Sequence, residues 1–202
     1  MGTIERKARE RAGRENQILD AAEKVFFAQG FDQSTMDDVA KVSELSKGSL
    51  YNYFKNKNEL CIGIVSRSLQ VVIEYMEKAV SANVCGLDKI EAAAKALLSF
   101  QKENPEYYCA LQNYRQHSCG CVTSSKFLKL TLKENNHISG IFKKAIEFGI
   151  EDGSIREDIV PEKAAEVFWG EANGVLSGVD LNSLSNEIYE YTVKLIINGL
   201  KK

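Results

Sequence analysis

The chain has 202 residues, 44% hydrophobic and 27% charged, with 26 Lys and Arg against 28 Asp and Glu and a formal net charge of −2. That balance is typical of a globular protein and excludes a disordered tail, a collagen-like repeat or a small disulfide scaffold. As a sum, the mild acidity also speaks against a nucleic-acid binder, which normally carries excess Lys and Arg.

Pro105 and Pro161 are the only two prolines, and so few helix breakers predict an all-α fold. Five cysteines cannot all pair within one chain, and the charged N-terminus does not read as a secretory signal. Reduced thiols in a cytoplasmic protein are therefore expected. No run approaches the ~18 consecutive apolar residues of a membrane-spanning helix, so no membrane partner is expected.

Residues 5–14 hold five basic side chains (Arg6, Lys7, Arg9, Arg11, Arg14) against Glu5 and Glu10, forming a basic arm that leads into a helix. Ile18, Ala22, Val25, Phe26 and Gln29 continue at helical spacing, and the first four make an apolar face. Gly30 is placed to stop this helix, and Phe31 can fold back on its end. Thr35 then reads as an N-cap, with Asp37 and Asp38 matching the positive end of a short helix running to about Val42. Ser43-Glu44-Leu45 reads as a tight turn. Ser46 can cap a second short helix, from Lys47 to about Tyr53. Lys55-Asn56-Lys57-Asn58 breaks the pattern before a long helix beginning near Lys57. Helices are predicted at roughly 57–82, 87–103, 105–117, 124–152, 161–178 and 184–200, punctuated by Gly86, Pro105, Gly120, Gly153 and Pro161. No strand-period run, internal repeat or low-complexity linker stands out. The pattern predicts two helical units, 1–56 and 57–202, joined by one continuous helix.

Two short helices joined by a three-residue turn, behind a longer supporting helix, make a helix-turn-helix. Val39, Ala40, Leu45, Leu50 and Phe54 can face Ile18, Phe26 and Phe31 in a small core. Lys47, Gly48, Ser49, Asn52 and Tyr53 are then left facing outward. They are small or hydrogen-bonding residues of the kind that can read base edges in a major groove.

The stretch Gly30-Phe31-Asp32-Gln33-Ser34-Thr35-Met36-Asp37-Asp38-Val39-Ala40, followed by Leu45-Ser46-Lys47-Gly48-Ser49-Leu50-Tyr51-Asn52-Tyr53-Phe54-Lys55-Asn56-Lys57, closely resembles the DNA-binding domain of the TetR family of bacterial transcriptional repressors. The resemblance covers about residues 14–65, and its most specific part begins at Ser46. Glu44 departs from the pattern, standing where the family often has Gly, and a positive φ there would carry a modest backbone cost. On this resemblance Thr35 looks like a phosphate contact, and Ser46 looks like the cap of the recognition helix. Lys47, Gly48 and Ser49 sit where base edges come within reach, and Gly48 lets the backbone approach closely. Tyr51 and Tyr53 look like phosphate-contacting phenols, although a helical Tyr is commonly just partly buried packing. Asn52 either pairs with an adenine or faces the backbone. Lys57 looks like a phosphate anchor, while Lys41 and Lys55 read as solvated charges. The basic arm either reaches the DNA or is a solvated helix end.

Reading a palindrome takes two such modules at fixed spacing, so a homodimer is expected. The candidate interface is the last two helices. The first has an apolar stripe of Ala164, Phe168, Ala172, Val175 and Val179, with Gly170, Gly174 and Gly178 recurring every four residues. The second has Leu184, Ile188, Tyr191, Leu195 and Ile196. Together they would build a four-helix contact, unless the same faces pack inside one subunit. In the middle of the chain Phe100, Tyr107, Tyr108, Leu111, Tyr114, Phe127 and Phe142 read mostly as core. The resemblance implies a small-molecule inducer among them.

Cys109, His117, Cys119 and Cys121 form an alternative feature that could bind a soft metal or sense oxidants. Cys-Gly-Cys is not a standard zinc spacing, and ordinary packing is the simpler account; no metal and no cofactor is assigned. An enzyme with a Cys nucleophile and His117 or His137 as base finds no nucleophile elbow, phosphate-binding glycine loop or metalloprotease helix in support.

Resolved by region, the net charge no longer opposes DNA. Residues 41–57 carry four Lys against Glu44, while residues 58–202 carry 16 basic and 19 acidic side chains. Local basic patches on an acidic body orient a protein on DNA. The expectation is an all-α, non-enzymatic repressor. A helix-turn-helix domain over 1–56 would bind double-stranded operator DNA, and a ligand-binding and dimerisation domain over 57–202 would respond to a small molecule.

Overall fold

The computed structural model describes residues 2–117, 126–178 and 183–202. In chain order these hold α1 (Thr3–Gln29), α2 (Met36–Val42), α3 (Lys47–Tyr51), α4 (Lys57–Ser81), α5 (Gly86–Glu103), α6 (Pro105–His117), α7 (Lys126–Glu151), α8 (Pro161–Gly178) and α9 (Ser183–Leu200). The all-α expectation holds: no strand occurs among the described residues, and extended pairing there is one isolated bridge between Ile155 and Lys201. The basic arm is itself part of α1. α3 is shorter than expected because it closes early: the Asn52, Tyr53 and Phe54 amides turn back onto the Ser49 and Leu50 carbonyls.

The chain forms two compact units. One comprises Met1–Ser68 with Cys109–Thr131, and the other Leu69–Tyr108 with Leu132–Lys202. In the first, Ile18, Ala22, Val25 and Phe26 of α1 are buried with Val39, Ala40, Leu50, Phe54 and Leu60. α1 stops at Gly30, whose φ of +80° favours glycine and whose N–H caps the Phe26 carbonyl. Phe31 returns edge-on to Phe26, with ring centroids 5.5 Å apart. Arg67 of α4 ties down α1, donating to Asp20 at 2.8 Å, Glu23 at 2.9 Å and the Asn16 carbonyl at 3.0 Å.

The second unit buries Ile90, Leu97 and Phe100 of α5, Ile138 and Phe142 of α7, Phe168 of α8, and Tyr189 and Ile197 of α9. The Tyr189 phenol donates to the Ala94 carbonyl at 3.0 Å, which satisfies its polar end inside this core. Gly86 lies so close to α7 that a Cβ there would stand 2.2 Å from the Gly149 backbone.

Candidate nucleic-acid interface

The exposed surface of α3 rests on a set of local caps. At the start of α2 the Thr35 hydroxyl oxygen accepts from the Asp38 N–H at 3.2 Å, and the Thr35 N–H donates to the Asp38 carboxylate at 3.0 Å. This reciprocal box holds the Asp38 carboxyl below its ordinary range, chiefly through the hydrogen bond from the Thr35 side chain. Both donors of Thr35 point at Asp38, so its contribution lies in fixing α2 more than in offering a free N–H to a phosphate.

The turn that follows is closed by the Leu45 amide donating to the Ala40 carbonyl at 3.0 Å. Glu44 takes the left-handed conformation, with φ +56°. The condition under which this departure from the family pattern carries a backbone cost is therefore met. Ser46 caps α3 as expected: its hydroxyl accepts from the Ser49 N–H at 3.2 Å and lies 2.8 Å from the Ser49 hydroxyl. Lys47 pairs with Asp37 of α2 at 2.8 Å, and that hydrogen bond raises the Lys47 pKa. Both partners are exposed, so the pair is weak and readily exchanged for another anion. Gly48 is exposed, and an added Cβ would meet nothing within 4 Å. Nothing among the described residues requires a glycine at that position.

At the other end of α3, Tyr51 and Asn52 are exposed and Tyr53 is half-buried. Arg11 lies over the Tyr53 ring at 5.1 Å from its centroid and donates to the Asn52 carbonyl at 3.1 Å. Leu50 and Phe54, behind them, are fully buried. Lys57 differs most from its expected role. Its ammonium donates to the carbonyls of Phe31, Asp32 and Ser34 at 2.8, 3.2 and 3.0 Å and sits 4.4 Å from the Phe31 ring centroid. Three N–H bonds are all that an ammonium has, so Lys57 can offer a phosphate its charge but no donor.

Sequence reasoning missed Arg11 and Glu15 as a pair behind α3, and Asp37 as the partner of Lys47. It also missed the cap of α4, where the Asn56 side chain accepts from the Glu59 N–H at 2.9 Å and Glu59 accepts from the Lys55 N–H at 2.7 Å. That last signal was available, because Asn followed three residues later by Glu is a capping-box spacing.

The expected interface and ligand residues divide by burial. In α8, Phe168 is 1% exposed and stacks on Phe142 at 5.1 Å, which removes it from any outward face. Phe168 and Ala172 of the apolar stripe of α8 turn inward because they pack this unit's own core. The outward face of α8 carries Val167, Gly170 and Gly174. In α9, Ile188, Tyr191 and Leu195 are exposed while Tyr189, Val193 and Ile197 point inward. The surroundings of Gly178 lie outside the described residues. Among the expected ligand residues, Phe100, Tyr108, Phe127 and Phe142 are buried, while Tyr107, Leu111 and Tyr114 are half-buried. Phe127 is engaged by Phe54 and Phe142 by Phe168. A groove of about 750 Å³ lies elsewhere, between α4 and α5 of the second unit, lined by Tyr75, Lys78, Lys95, Ser99 and Glu103 among others.

Of the cysteine–histidine cluster, Cys109 is exposed, whereas Cys119, Cys121 and the His117 side chain lie outside the described residues. Among the described residues no three His, Cys, Asp or Glu side chains come together to hold a metal, and no helix is long and apolar enough to cross a membrane.

Comparison with known proteins agrees with this geometry. A family model for bacterial regulatory proteins of the tetR family matches residues 18–63. The fatty acid metabolism regulator protein of Bacillus subtilis (strain 168) is 26% identical over 196 residues, 90% of this chain and 95% of that one. A crystal structure of the regulator FadR from Bacillus subtilis with stearoyl-CoA superposes with TM-score 0.68 at 22% identity, covering 91% of this chain and 98% of that one. A TetR/AcrR-family regulator from Thermobifida fusca gives 0.71 at 21% identity, over 94% of this chain and all of the other. Residues 18–63 thus carry the DNA-binding helix-turn-helix of the tetR family of bacterial regulatory proteins, and over most of its length the chain is similar to transcriptional regulators of that family.

Proposed function

We propose that the chain is a ligand-responsive repressor that binds palindromic operator DNA as a homodimer and is released by a small molecule. In this reading residues 1–56 read the DNA, and residues 57–202 supply dimerisation and ligand response. The observation that carries it is the capped, outward-facing α3, with Lys47, Gly48 and Asn52 exposed over a fully buried Leu50 and Phe54. Ser46, Lys47, Gly48, Ser49 and Asn52 meet base edges or adjacent phosphates, and Tyr51 and Tyr53 contact the backbone. Thr35 orders α2 beside them, and Lys57 acts as the strut behind these contacts.

Dimerisation through α8 and α9 is supported by Val167, Ile188, Tyr191 and Leu195, which are 54%, 42%, 63% and 54% exposed. Gly170 and Gly174 share the α8 face of Val167, three and seven residues on, with open space at the missing Cβ. Large apolar side chains around a small-residue surface favour close packing with a second helix pair. For the ligand, a fatty-acyl-CoA is the class favoured by the names of the Bacillus subtilis relatives. Within the second unit, Phe100, Tyr107, Tyr108 and Phe142 would supply an apolar lining for its chain. On this reading the protein works in the cytoplasm, where bacterial operator DNA lies.

The test is selection of a binding site from random duplex DNA, followed by titration with stearoyl-CoA. A palindrome bound by two subunits and released by the acyl-CoA is the expected result. Selection of no sequence would overturn the DNA reading. Retention on DNA at saturating acyl-CoA would overturn the choice of ligand.

A further inference from the structure

The closing residues of α3 are held from behind by two consecutive residues of α7. Lys126, in the first turn of α7, donates to one carboxylate oxygen of Glu15. Glu15 is 6% exposed and accepts from Arg11 Nε at 3.2 Å through its other oxygen. The same guanidinium donates to the Asn52 carbonyl and lies over the Tyr53 ring. The next α7 residue, Phe127, stacks on Phe54 with centroids 5.0 Å apart and ring planes 16° apart. Asn52, Tyr53 and Phe54 are therefore each gripped by a route that starts or ends at α7. All of these residues belong to the same compact unit.

We propose that Glu15 is a positioning residue for DNA reading, and that the Lys126–Glu15–Arg11 relay sets the orientation of α3. A carboxylate this buried demands compensating charge, and here it has two cations. With Lys126 present, Arg11 shares its fork between Glu15 and the end of α3. Without Lys126, Arg11 is the remaining partner, and Glu15 draws it away from Asn52 and Tyr53. A change in the first turn of α7 thus reaches the recognition helix without any residue of the relay touching a base. The relay rests on the reading that α3 enters the DNA.

The test uses the full chain carrying Lys126→Met, Arg11→Lys, or both. The Lys126 side chain is 60% exposed, so the first change removes a partner without opening the core. The second keeps the charge and removes the fork. Each single variant is expected to bind the selected palindrome about five- to tenfold more weakly, the size of a coupling between linked sites. The salt dependence should be unchanged, and the double variant should be no worse than the worse single. Full affinity in both singles overturns the relay. So does a log K against log salt slope smaller by about one in Lys126→Met, which would make Lys126 a phosphate contact. A readout without DNA keeps this separate from the repressor reading: amide exchange at Tyr53 and Phe54 should quicken about tenfold in Lys126→Met. Unchanged exchange overturns the relay even if the parent chain selects no operator.

Discussion

Replacing Lys57 with Met distinguishes a strut from a phosphate anchor. The ammonium makes three hydrogen bonds to carbonyls of the α1–α2 loop and a cation–π contact with Phe31. A hydrogen bond from a charged donor contributes about 1.5–3 kcal/mol, but two of these are partly buried and one is exposed, so water recovers much of the sum. The ring contact adds about 0.5–1 kcal/mol. Against this, a cation at the positive end of the α4 dipole costs about 0.3–1 kcal/mol. The net loss on Lys57→Met is therefore about 2 kcal/mol, a fall in Tm of about 4–8 °C for a chain of this size. Thermal unfolding by circular dichroism reads the first effect, and DNA titration at several salt concentrations reads the second. The salt slope should be retained while affinity falls, because the loop that carries Thr35 loosens. An unchanged Tm with a slope smaller by about one would refute the argument and return Lys57 to the phosphate contacts.

Gly86→Ala should destabilise the second unit by about 3 kcal/mol or more, measured by denaturant titration, because backbone and not a flexible side chain stands 2.2 Å from the new Cβ. An ordinary melting curve would show that α5 and α7 are not so close. Glu44→Gly should raise stability by about 0.5–1 kcal/mol by relieving the left-handed residue in the turn, and a lower Tm would contradict that φ. Asp38 and Asp152 both have lowered pKa values, Asp38 through Thr35 and Asp152 first through Ser154 and then through the Gly86 amide. Their stabilising contribution is therefore complete above the unfolded carboxylate pKa of about 3.9, and it is lost as pH falls through the lower folded values. Thr35→Val should flatten this acid limb in a pH series of melting curves; an acid limb identical to the parent's would remove the Asp38 box from the account.

The helix boundaries were legible because their signals are local. Gly30, Thr35, Ser46, Pro105, Gly153 and Pro161 each act within a few residues, and the structure puts element ends beside them. The direction of a helix face was harder to read. In α8 the apolar stripe through Phe168 and the glycines of the outer face both recur at helical spacing, and one sequence cannot say which stripe meets its own core. Partners distant in sequence were illegible altogether. Nothing near Lys57 announces three carbonyls some 23 to 26 positions earlier, and nothing near Lys126 announces Glu15, 111 positions away. Charge patterning raised the right question, since the basic residues cluster in α1 and around α3. The structure adds that several are engaged: Lys47 by Asp37, Arg11 by Glu15, and Lys57 by the loop behind it.

The account stands on α3 being the element that reads DNA. The most direct measurement is binding-site selection with the parent chain beside Ser49→Ala and Asn52→Ala, with stoichiometry read on the selected duplex. The account predicts that the parent selects a palindrome bound by two chains, and that at least one variant shifts the preferred bases at symmetric positions of both half-sites. A parent that selects no sequence, or variants that select the same sequence as the parent, would contradict it.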